Sequence, residues 1–351
     1  MNIRQTVICC LLILLTGCAG GAKPKRDSRS DLLRWPSPPG PAKIEWLQDV
    51  SQPQDLGIEK GFWKKLVEFV TGEERTGMVR PYGVYSDNHG RLYVADSGAS
   101  VVLLYDREEG RAVTLRGSDE HPLRLPIGIT GDSTQKIYVT DSASAAVFSY
   151  TPGDDGLKPF ITGGLDRPTG IVCDAARGRL YVTDTVRNQI VAFDLSGREL
   201  LRFGAKGTRA GQFNYPTDIC LDRRGRIIVN DSLNFRFQLF SADGGFVSMF
   251  GTAGDSAGYL SKPKGVAVDS DGHLYSADAL LDAVQVFDVS GRFLLTFGTR
   301  GIRPGEFWMP SGLFIDSHDI IYVADTYNRR IQLFRYLSDG STSTVKTQTR
   351  P

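Results

Sequence analysis

Four histidines, His89, His121, His273 and His318, are the side chains of this 351-residue chain that could hold a zinc ion. Zinc chemistry needs three or four ligands converging within bonding distance. Three of the four stand two to four residues after aspartates that recur at a fixed place, Asp87, Asp269 and Asp316, and His121 stands apart. No Gly-x-Ser-x-Gly elbow and no phosphate-binding loop is present. A second chemistry is recognition. Arg80, Tyr82, Arg167, Arg187, Tyr215, Arg236, Lys262, Lys264, Trp308, Met309, Arg329 and Arg330 recur at two places of a repeating unit. Arginine and large aromatics are the types enriched among interface anchors.

The elements that must position these residues follow from a repeat. Prolines 81, 126, 168, 216, 263 and 310 open six copies, with an aspartate six residues later in each: Asp87, Asp132, Asp174, Asp222, Asp269 and Asp316. A second aspartate follows at fifteen residues, or sixteen in the third copy: Asp96, Asp141, Asp184, Asp231, Asp278 and Asp325. Nine residues further on stands an aromatic, Tyr105, Tyr150, Phe193, Phe240, Phe287 or Phe334. Apolar alternation between these marks reads as short strands. The first aspartate, followed by turn residues such as Ser270-Asp271-Gly272, suits a tight hairpin in which the carboxylate accepts from backbone N–H groups. A residue repeated six times in this way is architectural. The glycine two after the proline (Gly83, Gly128, Gly170, Gly265, Gly312) marks close backbone approach, and Asp218 replaces it in the fourth copy, bringing a carboxylate to the axis.

Repeats three, four and five end in a fourth strand, Leu200–Gly204, Ser248–Gly251 and Leu294–Gly298, whereas repeat six runs out after Tyr336. Lys43–Val50, KIEWLQDV, alternates as a strand and belongs to no repeat. The expected fold is therefore all-β, a six-bladed β-propeller over residues 79–336 whose last blade is completed by residues 42–50, closing the ring. Such a ring is expected to stand as a monomer. Gly61–Thr71, GFWKKLVEFVT, has the spacing of an amphipathic helix that packs on the ring, and residues 337–351 read as a disordered tail.

Arg4, the apolar run Val7–Leu15 and Leu15-Thr16-Gly17-Cys18 form a signal segment. It resembles the lipobox of bacterial lipoproteins, which implies removal of residues 1–17 and lipidation of Cys18. By the sorting rule of Gram-negative lipoproteins, Ala19 after the cysteine implies the outer membrane, the domain facing the periplasm or the surface. Residues 18–41, with five prolines, read as a tether. Cys173 and Cys220 then remain in the folded part as core thiols. With 41 Lys plus Arg against 40 Asp plus Glu, a net charge of +1, the chain has no field that would draw nucleic acid.

The repeats resemble the NHL family. Tyr322-Val323-Ala324-Asp325-Thr326-Tyr327-Asn328-Arg329-Arg330-Ile331-Gln332-Leu333-Phe334 carries the family's hallmark, with similar segments at Tyr181–Phe193 and Ile228–Phe240. A Gly-x-x-x-Gly-x-Phe link recurs at Gly207–Phe213 and Gly301–Phe307, with Gly254–Leu260 a variant. The resemblance implies a six-bladed propeller and leaves function open. Some propellers of this kind are lyases with zinc held by three histidines in the channel, while sugar-lactone types hold calcium on carboxylate and Asn ligands. Here the histidines fall at the rims of different blades, and Asp218 with Asn188 or Asn230 is the available calcium set. A lipid-anchored binding or scaffold propeller, with an envelope protein or other acidic or aromatic ligand on one ring face, is the leading reading and calls for no cofactor. An envelope lyase or hydrolase with a channel metal is the alternative.

Overall fold

The computed structural model describes residues 33–37, 39–58 and 77–338. The lipobox with Cys18, most of the tether, the Gly61–Thr71 segment and residues 339–351 lie outside the described residues. Six antiparallel sheets of four strands make six blades, and the sixth carries one strand more. The fold is an all-β, six-bladed propeller.

Each copy of the repeat supplies a blade from the axis outward. The first strands are Pro81–Ser86, Pro126–Gly131, Pro168–Asp174, Pro216–Leu221, Pro263–Val268 and Pro310–Ile315. They pack side by side around the axis, the last against the first. Apolar side chains of neighbouring blades fill the space between them; Tyr181, Ile190 and Ala192 of blade three, for example, meet Ile219, Val229 and Phe240 of blade four. The core is thus a ring of inter-blade layers, and no blade can bury its faces without both neighbours.

The conserved spacing resolves into three kinds of tie. First, the early aspartate closes the hairpin between strands one and two. Asp222 accepts from the N–H groups of Arg224 (2.9 Å) and Arg226 (2.8 Å), and Asp316 from those of His318 (2.8 Å) and Ile320 (3.0 Å). Second, the later aspartate is fully buried and receives the chain entering its own blade. Asp96 accepts from Val79 and Arg80, Asp141 from Arg124 and Leu125, and Asp278 from Ser261 and Lys262. Third, in blades two, three, four and six the Ser or Thr after that aspartate reaches the next blade, while Ser97 of blade one bonds back to Arg80. Ser142 donates to the Pro168 carbonyl, Thr185 to that of Pro216 (2.7 Å), Ser232 to that of Pro263 (3.0 Å), and Thr326 to that of Pro81 (2.9 Å), which joins blade six to blade one. Blade five has Ala279 at this position and makes no such bond, whereas Ser311 of blade six doubles the tie to blade one, bonded to Thr326 and to the Tyr82 carbonyl.

The glycine of each Pro-x-Gly sits where backbones of adjacent blades nearly touch. A Cβ at Gly83 would strike the carbonyl of Ile127, and one at Gly312 the carbonyl of Tyr82. Asp218 stands in this ring with its Oδ2 accepting from the Val266 N–H of blade five (2.9 Å).

The ring closes as the unpaired segment requires. Ile44–Val50 lies antiparallel on Arg330–Tyr336, Ile44 opposite Tyr336 and Val50 opposite Ile331. The tether expected to run to Pro41 ends earlier, because Arg34–Trp35 adds a further short strand on Ile44–Glu45. Trp35 makes it worth ordering: its ring packs against Phe297 (5.9 Å) and Phe334 (5.8 Å) in the layer between blades five and six. The tail likewise starts later than Leu337, whose N–H donates to the Lys43 carbonyl at 2.7 Å.

Candidate functional site

The loops entering each first strand and the turns after each second strand lie at one end of the ring. Several residues expected on that face meet there. Tyr82, Asp218 and Lys264 line the axial cavity at its mouth. The Arg167 guanidinium lies 6.0 Å from the centre of the Tyr215 ring. Arg167, Tyr215 and Asp218 are charge neighbours of the Tyr82 hydroxyl, and Arg167 and Lys262 are charge neighbours of Lys264. Three blades beyond blade one therefore contribute to a single mouth.

The electrostatics of this mouth are unusual. Asp218 lines the channel half-buried, and burial pushes its carboxyl up to about 7 against two backbone hydrogen bonds that favour the anion. Burial, and then the charges of Lys262 and Arg167, hold Lys264 below the ordinary ammonium range. Burial also raises the Tyr82 hydroxyl, which stays protonated and available as a donor. Arg80, Arg167, Lys262 and Lys264 have no ion pair with any described residue.

A second group surrounds Tyr327, which sequence reasoning missed. Trp308 stacks on its ring at 5.5 Å and the Arg80 guanidinium lies 5.8 Å from its centre. Tyr327 is the second residue after the later aspartate, and the same position holds Val186, Leu233 and Leu280 in blades three, four and five, all exposed. Large apolar side chains at an exposed turn position are the signal that could have revealed this crown. Tyr215 and Met309 support it from inside. Both precede a first-strand proline and take positive φ, +60° and +54°. Their N–H groups are held by Asn188 Oδ1 (2.8 Å) and Asp282 Oδ1 (2.7 Å). Left-handed backbone at non-glycine residues persists only where such ties over-determine it. Arg329, exposed, and Arg187, whose Nη1 donates to the Gly164 carbonyl at 2.7 Å, complete the rim.

Two expected members do not belong to the face. Arg236 and Arg330 are buried. The Arg330 Nε donates to Asp325 (2.8 Å), Nη1 to Asp49 (2.6 Å), and Nη2 to the carbonyls of Arg303 (2.9 Å) and Glu306 (2.8 Å). Arg236 does the same for Asp231 and for the carbonyls of Thr208, Arg209 and Gln212. These arginines span a buried carboxylate and the Gly-x-x-x-Gly-x-Phe link, so each makes at least four hydrogen bonds internally. Gln238 and Gln332 finish the task, taking the N–H of Gly211 and of Gly305 and donating to the Gln212 and Glu306 carbonyls. Phe213 and Phe307, fully buried, plug each link into the inter-blade layer.

The histidines occupy separate places. His89, His273 and His318 sit in the turns after strand one, at the opposite end of the ring; His273 is held by Asp269 at 2.8 Å, and hydrogen bonding to that carboxylate raises its pKa. Among the described residues, no three His, Cys, Asp or Glu side chains come together as metal ligands would. Asn188 is spent on Tyr215 and Val186, while Asn230 lies across the strand pair from Asp218, with Nδ2 on Thr217 and the Lys264 carbonyl. Cys173 and Cys220 are free thiols that line the channel; burial pushes Cys173 up to about 12. No helix of the described residues is long and apolar enough to cross a membrane.

The axial cavity holds about 190 Å³, less than the roughly 300–1,000 Å³ of ordinary ligand pockets. A large ligand held at the axis would therefore lie mostly over the mouth.

No family model matches this chain. Solved structures with a similar fold include a protein of unknown function from Bacteroides thetaiotaomicron, 15% identical over 74% of this chain and 70% of that one, TM-score 0.60. An auxiliary nutrient binding protein from the same organism is also 15% identical, over 75% of this chain and 71% of that one, TM-score 0.60. Virginiamycin B lyase from Staphylococcus aureus is 15% identical over 74% of this chain and 96% of that one, TM-score 0.55. At such identities the likeness shows the propeller fold, which this chain shares with binding proteins and enzymes alike.

Proposed function

We propose that this chain is a binding propeller of the NHL type, held at the cell envelope by lipid on Cys18, which takes a protein or other ligand on the end of the ring around the channel mouth. The observation that carries this reading is the crown itself. Leu280, Leu233, Val186, Tyr327, Trp308 and Tyr215 are exposed together on one end, beside cations with no carboxylate partner among the described residues. Exposed apolar surface of this kind marks interaction sites, and Arg beside aromatics is the composition of interface anchors. The likeness to a nutrient binding protein is consistent with it. The channel lining offers a single carboxylate, Asp218, and three of the four histidines stand at the far end, so a binding role uses what the face presents. The lipobox places the anchor N-terminal to Trp35, and the outer membrane is the membrane we assign.

The test uses the full-length protein in envelope fractions. Cys18→Ser should release it from the membrane fraction. Arg80→Glu with Arg167→Glu and Lys262→Glu, all three exposed, should leave the thermal unfolding midpoint unchanged within a few degrees and reduce recovery of a cross-linked partner at least tenfold. Equal recovery from the charge-reversed protein would refute the face, and retention of the serine variant would refute the anchor.

A further inference from the structure

We infer that the cavity between blades five and six, at the end of the ring opposite the crown, is a second binding site. It takes a neutral ligand of aromatic or alicyclic build and holds its hydroxyl group on Nε2 of His273. The inference is independent of the face around the channel mouth.

This cavity holds about 520 Å³, the size of an ordinary ligand pocket. Its apolar walls are Val286, Leu294 and Leu295 of blade five with Pro36, Pro41 and Ile44 of the N-terminal segment, so it is complete only once that segment has closed the ring. Asp271 and Lys43 line it as well, one charge of each sign, and the lining therefore favours a neutral ligand. The two tyrosine hydroxyls in the lining are already engaged, that of Tyr275 on Asp269 (2.9 Å) and that of Tyr336 on Asp271 (2.7 Å). His273 is the remaining polar group. It stands four residues after the turn aspartate, where blades one, two and four have Arg91, Lys136 and Arg226. Arginine and lysine can only donate, whereas a neutral imidazole also accepts. Its Nδ1 is fixed on Asp269 Oδ2 at 2.8 Å, and the fully buried Asp269 accepts in addition from the N–H groups of Asp271 and His273, both at 2.9 Å. A carboxylate so engaged offers the imidazole only acceptor oxygens, so Nδ1 carries the proton and the lone pair of the neutral ring is on Nε2, turned away from Asp269. Among the described residues nothing bonds Nε2. The ring is held edge-on to Tyr336, with 5.5 Å between centres. An oriented acceptor beside apolar walls is matched by a hydroxyl donor on an apolar body.

The experiment is a fluorescence titration of the full-length chain with 2-naphthol and with its methyl ether, 2-methoxynaphthalene. It is run at about pH 8.5, because the bond to Asp269 raises the His273 pKa and the neutral imidazole is the acceptor. The naphthol should bind about tenfold more tightly than the ether, the worth of one hydrogen bond. His273→Phe, which keeps a flat ring, should abolish that preference and leave the affinity for the ether within about twofold. Leu294→Trp, which fills the cavity, should weaken both ligands about tenfold or more, and His318→Phe, in the corresponding turn of blade six, should leave both unchanged. If the His273 variant folds poorly, the imidazole ¹⁵N resonances of the wild-type protein decide: the naphthol should shift those of His273 and the ether should not. Absence of naphthol binding, equal affinity for the two ligands, a preference that survives His273→Phe, or binding undiminished by Leu294→Trp overturns the inference.

Discussion

Replacing Arg330 by methionine should destabilise the propeller by about 3–5 kcal/mol. It is the side chain that fastens the N-terminal strand to the last blade. One guanidinium is bonded to Asp325 and Asp49 at 2.8 and 2.6 Å and to two carbonyls of the link between blades five and six. Burial already raises the pKa of both carboxylates, with Arg330 among the charges that oppose the rise. Without it, Asp325 would have to ionise in the interior, and Asp49 half-buried, with no counter-charge, or take up a proton. The deficit should therefore be largest near pH 7 and shrink as pH falls toward 4, where protonation removes the unpaired charges. Arg236→Met should cost less, because Arg236 faces one buried carboxylate, Asp231, which keeps bonds from Asn234 (2.8 Å) and Gln238 (3.0 Å). Urea denaturation at pH 4, 5.5 and 7 distinguishes the cases. An Arg330 variant as stable as the parent at pH 7 would mean that strand pairing and Trp35 alone close the ring.

The second large effect is a gain. The Asp218 carboxyl is pushed from 3.8 to about 7 by burial, and at about 1.4 kcal/mol per unit the cost of ionising it in the folded protein is on the order of 4 kcal/mol. The folded pKa lies above the unfolded one, so the folded state holds the proton more tightly, and stability falls as pH rises from about 4 to about 7 and then levels off. Asn at this position keeps an oxygen for the Val266 N–H and never ionises. Asp218→Asn should match the parent at pH 4 and exceed it by a few kcal/mol at pH 8. Equal stability of the two proteins at pH 8 would show that the carboxylate is better hydrated through the channel than its surroundings suggest. A side chain that lowers stability at neutral pH in a ring otherwise made of glycine is in keeping with a role at the mouth.

Much of the architecture was legible because turn residues in a repeat are fixed by backbone geometry. The proline, the two aspartates and the aromatic mark strand starts and ends whatever the intervening side chains, and the missing fourth strand of the last copy called for Lys43–Val50. The Arg34–Trp35 strand was hidden because a proline-rich composition outweighed one tryptophan, whose burial orders it. The face was only half legible. Arg329 and Arg330 are adjacent in sequence, yet one is exposed at a turn with positive φ while the other starts a strand and points inward. Arginine identity alone cannot separate these. A pairing in the sequence could have done so: each repeat entered through a glycine link has glutamine seven residues after its later aspartate, at Gln238, Gln285 and Gln332. Each glutamine holds its own link, Gln285 by Gly258 and Tyr259. The hallmark that looked most suited to recognition is thus a loop anchor. The apolar crown escaped notice because only comparison of one turn position across four blades makes Val186, Leu233, Leu280 and Tyr327 a set.

One end of the ring is expected to do the binding. A photo-crosslinking amino acid placed at Tyr327, on the crown, and separately at Val289, an exposed residue in the turn after strand three at the opposite end, tests it directly in intact cell envelopes. The expected result is a discrete adduct from position 327 that disappears when Arg167 and Lys262 are reversed in charge, with none from position 289. Adducts from 289 alone, or from 327 regardless of the charge reversal, would contradict it.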